Sequence, residues 1–498
     1  MANRPRTSPR PRRRGLDLSP PAQRQLERMV SGLLAGWRSR RATAPILPPR
    51  AVWTRGVNSF RGTLPRRGLK LSAIRREVEQ VMRLSRRNDS PRFWGYVNPP
   101  GTEIGALADW LAAGINQNVS CWRSAPGATL VERQVIDWIR TMVGLPRGAV
   151  GLLTSGGSMA NLAGLAAARE AAVAGDLYRR GLKRTPGGPL ALYASDEVHH
   201  SIHKAAAILG IGSDQVRLVP ADRRQRLDLE ELSRMLRRDR RAGLKPFCVV
   251  ANGGTVVSGA VDPLPRIATL CRRERLWLHV DACYGGFAVL APSGRRLLKG
   301  LGRADSIALD PHKWLYAPHD AGCVLYRNGG AARRAYRLGA DYIRTFGATA
   351  IEQFAFWDYG PELSRRFRAL KIWLAFKYHG GDVLAAAIEN DFRLAKLLAG
   401  KVQDAGGLEL LSRGDLGIVC FRFVPAGRRL GERELSRLNQ SILLALQEAG
   451  HVFLTNARLG GRFALRVCLL NYRTTADDLD QLIRQVIRSG RRLSRRPV

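Results

Sequence analysis

The sequence is short of acids, of lysine and of long apolar runs, and each shortage excludes a class of protein. No stretch of the 498 residues approaches the roughly 20 consecutive apolar residues that a membrane-spanning helix needs. A bilayer-spanning chain is excluded on that ground, and no secretory apolar segment is read. The seven cysteines, at 121, 248, 271, 283, 323, 420 and 468, are dispersed without a CxxC pair. That spacing excludes a disulfide scaffold and suits reduced thiols, so a cytoplasmic location is expected. Acids are outnumbered, with 41 Asp and Glu against 81 Lys and Arg, for a formal net charge of +40. Such a field attracts nucleic acid and anionic surfaces, and the basic ends MANRPRTSPRPRRR and RSGRRLSRRPV have the composition of binding arms. The arginines are nonetheless spread over every segment, without the aromatic interleaving of a single-strand groove. Residues 1–70 hold only Asp17 and Glu27 as acids, a bias shared with transit peptides but a poor signal in a chain rich in arginine throughout.

What is present reads as a large folded chain with more than one domain. Residues 1–18 are Pro/Arg-rich and are expected to be disordered. Residues 19–100 form an N-terminal helical segment, with helices expected at Ala22–Trp37, where Leu26, Val30, Leu33 and Leu34 recur at helical spacing, and at Leu71–Leu84. From 101 to 378 helical patterns alternate with short apolar strands at Leu190–Tyr193, Phe247–Ala251, Leu276–Val280, Ser306–Leu309 and Gly322–Tyr326. This is an α/β signature, a mainly parallel sheet covered on both faces, with site residues at strand ends. A smaller C-terminal α/β domain, 379–498, has candidate strands at Gly417–Phe423 and Phe463–Leu469. No internal repeat is evident.

The chemistry concentrates at residues 304–315, ADSIALDPHKWL, and at 279–286, HVDACYGG. Although lysine is scarce, Lys313 is enclosed by Pro311, His312, Trp314 and Leu315 after an apolar strand, whereas an ordinary lysine is solvated. A lysine whose pKa is lowered there can form a Schiff base with the aldehyde of pyridoxal 5'-phosphate (PLP) as a neutral amine. The ring nitrogen of that cofactor needs an ionised carboxylate to stay protonated, and Asp281 is the candidate. Residues 151–168, GLLTSGGSMANLAGLAAA, add a Ser/Gly turn before an alanine-rich helix. Glycines admit an anion, Ser158 is placed to cap the helix, and free N–H groups of the first turn point at a phosphate. The bland reading of that turn is a capped connection; in order with the other two motifs it becomes specific.

The ordered set TSGGSMAN, SDEVHHSIHKA, GGTVVSGAVDPL, HVDACYGG, DPHKW and SRRFRALKIW, from about Ser90 to about Thr475, resembles the group II pyridoxal-dependent decarboxylases, which include the aromatic amino acid, histidine and glutamate decarboxylases. The resemblance implies the fold type I, PLP-dependent transferase-like architecture: a large domain with a mainly parallel seven-stranded sheet, a smaller C-terminal α/β domain and an N-terminal helical segment. It also implies a homodimer with active sites between subunits, in which the helices of the 19–100 segment, the dimerisation segment, clasp the partner subunit. Carried over by position, Gly157 and Ser158 would bind the phosphate, Thr255 would lie near the ring and its phenolic oxygen, and His199 would stack on the ring face. Asp281 would pair with the ring nitrogen, Cys283 would sit beneath the ring where alanine is typical, and Lys313 would carry the Schiff base beside His312. Tyr342, in GADYIRT, falls where the family's mobile loop presents a tyrosine that protonates the substrate carbon. Tyr342 and Thr255 read equally as ordinary loop or turn residues. His199, His200 and His203 could instead hold zinc, but no third ligand stands at suitable spacing, so no metal is expected.

Departures from the aromatic branch concern the pocket: Asp310 replaces a common asparagine, making a phosphate contact there doubtful, while Ser120 and Pro99 replace a substrate-facing phenylalanine and a small polar residue. The expected function is decarboxylation of an L-amino acid to its amine and carbon dioxide, with an aromatic substrate favoured by RFWGY (92–96) and SRRFRALKIW. The alternatives are an acidic substrate such as glutamate, an aldehyde synthase or other carbon–carbon lyase and, remotely, a nucleic-acid-binding protein on a PLP fold.

Overall fold

The computed structural model describes residues 16–173, 177–182, 188–336 and 349–495. These group into two compact units, Met1–Arg87 and Asn88–Val498. In the first, helices run over Pro20–Ser39, Arg50–Gly56 and Leu71–Leu84. The first begins two residues ahead of its apolar periodicity because Pro20 and Pro21 are already set to helical φ and need no N–H partner in the first turn. Neither long helix has a fully buried residue, and Val30, Leu34, Ile74 and Val81 remain exposed. Ile46 is buried in this unit, and the Arg87 guanidinium lies 3.9 Å over the Trp37 ring.

The second unit is built on two sheets. Seven strands form the larger one: β1 (Val150–Thr154), β2 (Leu190–Ser195), β3 (Val216–Val219), β4 (Lys245–Asn252), β5 (Trp277–Asp281), β6 (Ser306–Leu309) and β7 (Gly322–Tyr326). Their order is β1-β7-β6-β5-β4-β2-β3. Pairing is parallel from β3 through to β6, and β7 runs antiparallel to both β6 and β1. Two reversals restore the direction, so β1, β2, β4, β5 and β6 all end on one edge. The inner strands read as continuous apolar runs because helices cover both faces and leave no residue for water.

Helix Gly157–Ala172 crosses the centre of this sheet, contacting β4, β5, β6 and β7. Its alanines keep the approach close, and a Cβ at Gly164 would stand 2.5 Å from the His279 ring, so only glycine fits there. The smaller sheet comprises β8 (Leu408–Arg413), β9 (Ile418–Phe423), β10 (Thr455–Leu459) and β11 (Arg462–Cys468), antiparallel in the order β10-β11-β9-β8. Helices Glu432–Ala449 and Ala476–Ser494 pack on it around a core that includes Val419, Phe421, Ile442 and Leu482. The helix Ala369–Asp404 is broken at Gly380, where φ of 77° suits glycine. Its first part packs on helix Glu103–Ile115 and its second reaches the small sheet. Among the described residues no helix is long and apolar enough to cross a membrane.

Candidate active site

The shared strand edge carries a cavity of about 290 Å³. The β1 turn supplies Gly156, Gly157 and Ser158, β4 ends with Asn252, β5 supplies Asp281 and Cys283, and the turn after β6 supplies Asp310, His312 and Lys313. His199, just ahead of helix Ser201–Ile208, completes the constellation. Residues far apart in sequence thus meet because parallel strands end together.

Lys313 Nζ lies 2.9 Å from Asp310 Oδ2. Burial by itself lowers a lysine, but the carboxylates of Asp310 and Asp281 outweigh it and hold the ammonium well above its ordinary pKa. The sequence reading, a lysine with lowered pKa, is therefore reversed here: Asp310, read only as a doubtful phosphate neighbour, is the ion-pair partner. Asp310 is 3% exposed and its Oδ1 has no hydrogen-bond partner among the described residues. It is an acceptor left waiting beside the lysine.

Asp281 is held ionised. Burial pushes its carboxyl up, and the Lys313 charge, the Cys283 N–H on Oδ1 at 3.1 Å, His199 and Asn161 together push it below the usual range. The Asn161 amide donates to Asp281 Oδ2 at 2.9 Å and to Ser201 Oγ at 2.9 Å. His199 Nδ1 stands 2.7 Å from Ser201 Oγ, and burial lowers the pKa of this imidazole. His312 is lowered by burial too, and its Nδ1 lies 2.6 Å from the Ala321 carbonyl.

The start of helix Gly157–Ala172 differs in detail from expectation. Gly156 is the N-cap and makes no side-chain cap bond, so Ser158 stands inside the first turn instead of capping it. The turn comes two residues early because glycines at 156 and 157 let the chain enter the helix against Cys283. Thr255 is drawn away from the cavity: it is 1% exposed, its Oγ1 meets Ser258 Oγ at 2.9 Å and accepts the Ala260 N–H, while its neighbours Gly254 and Val256 do the lining. Tyr342 lies outside the described residues. Among the described residues no three His, Cys, Asp or Glu side chains are placed to hold a metal, and His200 and His203 stay apart from the cavity lining. Asn161, Ser201 and His279 belong to the site although the sequence does not single them out. The available signal was a polar residue, Asn161, inside an alanine-rich helix.

These residues fit PLP. An amine, a carboxylate fixed in ionised form and a helix N-terminus in one cavity match an aldehyde, a ring nitrogen and a phosphate. A Cβ at Gly157 would fall 2.4 Å from Cys283 Sγ and 2.8 Å from Asp310 Oδ2, so the floor of the cavity depends on a residue without one.

Over most of its length the chain is similar to known proteins. Residues 58–424 match a family model described as "Pyridoxal-dependent decarboxylase conserved domain". The chain is 36% identical over 398 residues to the aromatic-L-amino-acid decarboxylase of Bacillus atrophaeus, covering 80% of this chain and 81% of that one. It is 34% identical over 431 residues to the cysteine sulfinic acid decarboxylase of Homo sapiens, covering 83% and 85%. The crystal structure of mouse CSAD superposes with a TM-score of 0.89 at 29% identity, over 95% of this chain and 99% of that one.

Proposed function

The chain belongs to the pyridoxal-dependent decarboxylase family, and from that premise we propose that it decarboxylates an aromatic L-amino acid to the corresponding amine. That it is a PLP-dependent amino acid decarboxylase follows from the family. The observation that supports the aromatic substrate is the make-up of the cavity: among the described residues lining it there is one lysine, Lys313, and no arginine. An acidic side chain would need a guanidinium there. The 36% identity with the Bacillus enzyme points the same way.

The residue roles form part of this proposal. Lys313 Nζ, in the cavity lining, would hold the cofactor aldehyde. When bound, the cofactor supplies an electron sink for the pair released as carbon dioxide leaves. Asp281 keeps a proton on the ring nitrogen, which its ionised state allows. The first-turn N–H groups after Gly156, with Ser158, hold the phosphate, and Cys283 packs beneath the ring as a small apolar group. Asp310, 2.9 Å from Lys313 Nζ, would pair with the Lys313 ammonium while no cofactor is bound. His199, in the same lining, would stack on the ring, and Tyr342 would be the residue that supplies the product carbon with its proton.

The proposal includes a homodimer. Helix Glu103–Ile115 exposes Leu107, Trp110, Leu111 and Ile115 together, an apolar face that a second copy would cover.

The test is an absorption spectrum of wild type beside Lys313→Ala, then carbon dioxide release from aromatic and acidic L-amino acids. A band near about 420 nm, lost in the variant, with release from aromatic substrates is the expected result. Release from cysteine sulfinate or glutamate alone overturns the substrate. Ammonia and hydrogen peroxide in wild type would identify an aldehyde synthase, the outcome otherwise expected only of Tyr342→Phe.

A further inference from the structure

One buried amide connects the carboxylate of Asp281 to the imidazole of His199. Asn161 is 1% exposed on helix Gly157–Ala172. Its Nδ2 donates to Asp281 Oδ2 and to Ser201 Oγ, each at 2.9 Å, and its Oδ1 lies 2.9 Å from His279 Nε2. Ser201 Oγ is 2.7 Å from His199 Nδ1, and the Ser201 backbone N–H points at the same nitrogen at 3.2 Å. On the other branch His279 Nδ1 meets Ser306 Oγ at 2.8 Å, and Ser306 Oγ accepts from Trp277 Nε1 at 2.8 Å.

Donor and acceptor rules fix the direction of every proton in this chain. An ionised Asp281 only accepts, so Asn161 must turn its Nδ2 towards the carboxylate and its Oδ1 towards His279. Oδ1 only accepts, so His279 carries its proton on Nε2. Its Nδ1 then takes the Ser306 hydroxyl proton, and the Ser306 lone pair takes the indole N–H of Trp277, which only donates. On the His199 side the Ser201 backbone N–H requires a lone pair on His199 Nδ1, so the Ser201 hydroxyl, which accepts the second N–H of Asn161, gives its own proton to that nitrogen. Two donors therefore converge on His199 Nδ1, leaving its proton on Nε2, for which no hydrogen-bond partner is found among the described residues.

We propose that Asn161 and Ser201 are positioning residues that fix His199 as the neutral Nε2–H tautomer, so that the state of the imidazole is tied to the Asp281 carboxylate. This rests on the reading of Asp281 and His199 as cofactor-facing groups. A second proton on Nδ1 would collide with two N–H and O–H donors, so His199 offers the cavity a hydrogen-bond donor and is not the acid that protonates product carbon. The charges facing His199 do not decide its state: Asp281 and Asp310 favour the cation, Lys313 and His200 oppose it, and burial opposes it further. The converging donors do decide it, because hydrogen bonds to the neutral form disfavour the charged one.

The measurement is ¹⁵N NMR of the full chain with labelled histidine, with and without PLP, His199 being assigned by the signal missing in His199→Gln. Wild type should show an unprotonated Nδ1 and a protonated Nε2 at pH 7. Ser201→Ala should raise the pKa of His199 by about half a unit or more, Ser201→Thr should return it, and Asn161→Ala should mix the tautomers. A protonated Nδ1 in wild type at pH 7, or a Ser201→Ala titration indistinguishable from wild type, overturns the proposal. Should Ser201→Ala not fold, the wild-type tautomer alone decides. Failure of the decarboxylase reading would appear separately, as an absent cofactor band and no carbon dioxide, while the tautomer measured without PLP stands by itself.

Discussion

At the scale of the residue, the cavity depends on atoms that are missing as much as on those present. Gly157 begins its helix so near Cys283 and Asp310 that an added Cβ, at 2.4 Å and 2.8 Å from their atoms, must displace the first turn. Overpacking of this kind costs about 1–3 kcal/mol, and each 1.4 kcal/mol taken from binding is about tenfold in affinity. Gly157→Ala is therefore expected to weaken PLP binding about tenfold or more in an absorbance titration, and adding Cys283→Ala should recover part of the loss. Unchanged affinity would mean that the phosphate is held elsewhere. A second residue-scale device is Asp391, fully buried, which accepts from Trp314 Nε1 and Tyr316 Oη, each at 2.9 Å, and so pins the turn that carries Lys313. Burial raises its carboxyl to about 7, against about 3.9 in an unfolded chain. Between those values the folded chain keeps a proton that the unfolded chain has lost. The stability from this site is thus full below about pH 4 and drains away as pH rises through about 7. Asp391→Asn cannot ionise yet keeps an acceptor oxygen, so its Tm relative to wild type should rise between about pH 4 and about pH 7 and level off above. A constant difference across that range would show that Asp391 does not titrate there.

At the scale of the element, the strand that delivers the anion-binding turn is held by one buried ion pair. Glu132, on helix Pro126–Met142, accepts the Leu153 N–H at 2.9 Å and pairs with Arg365, and both side chains are wholly buried. Arg365 also donates to the carbonyls of Val119 at 2.6 Å and Leu153 at 2.7 Å. Glu132→Ala would strand that guanidinium in the core, a loss of about 3–5 kcal/mol. A clear fall in denaturation midpoint with weakened PLP binding is expected, whereas breaking the exposed Arg75–Glu79 pair should cost about 0.5 kcal/mol or less. Equal effects would deny Glu132 its part in fixing β1. The same scale shows what the sequence disclosed. Strands β2, β4, β5, β6 and β7 were legible as apolar runs because both their faces are covered. Strands β3, β8 and β10 were not, since each is an edge strand with mixed burial and a broken pattern. Lys313, Asp281 and His199 stood out because local motifs frame them. Asn161, Ser201 and His279 did not, because their partners arrive from other strands and helices, Asn161 meeting Asp281 across 120 residues of sequence.

At the scale of the whole molecule, the charge of +40 asks whether a polyanion is a second ligand or a bystander. The groove between helices Leu229–Arg241 and Leu264–Glu274 shows the pattern well: Arg234, Arg237, Arg266, Arg273 and Arg303 line it against a single acid, Glu230. Two of its arginines are partly neutralised, Arg234 by Glu231 at 2.6 Å and Arg273 by Glu274 at 3.0 Å, and Arg303 is spent on the Pro265 carbonyl and Thr269 hydroxyl. Among the described residues no aromatic side chain lines it for a base to stack on. Attraction of this kind is Coulombic and diffuse, so binding to duplex DNA should be indifferent to sequence and should fall about a thousandfold or more between 50 mM and 200 mM salt. Replacing Arg234, Arg237, Arg266 and Arg273 with glutamine should lower the salt slope only in part, since the remaining excess charge lies elsewhere. Lys313→Ala, which removes one buried ammonium, should leave the binding unchanged while abolishing the cofactor band. Tight binding that prefers one sequence and survives 200 mM salt would instead make nucleic acid a true ligand, and the arginine excess a built surface instead of a bias of composition.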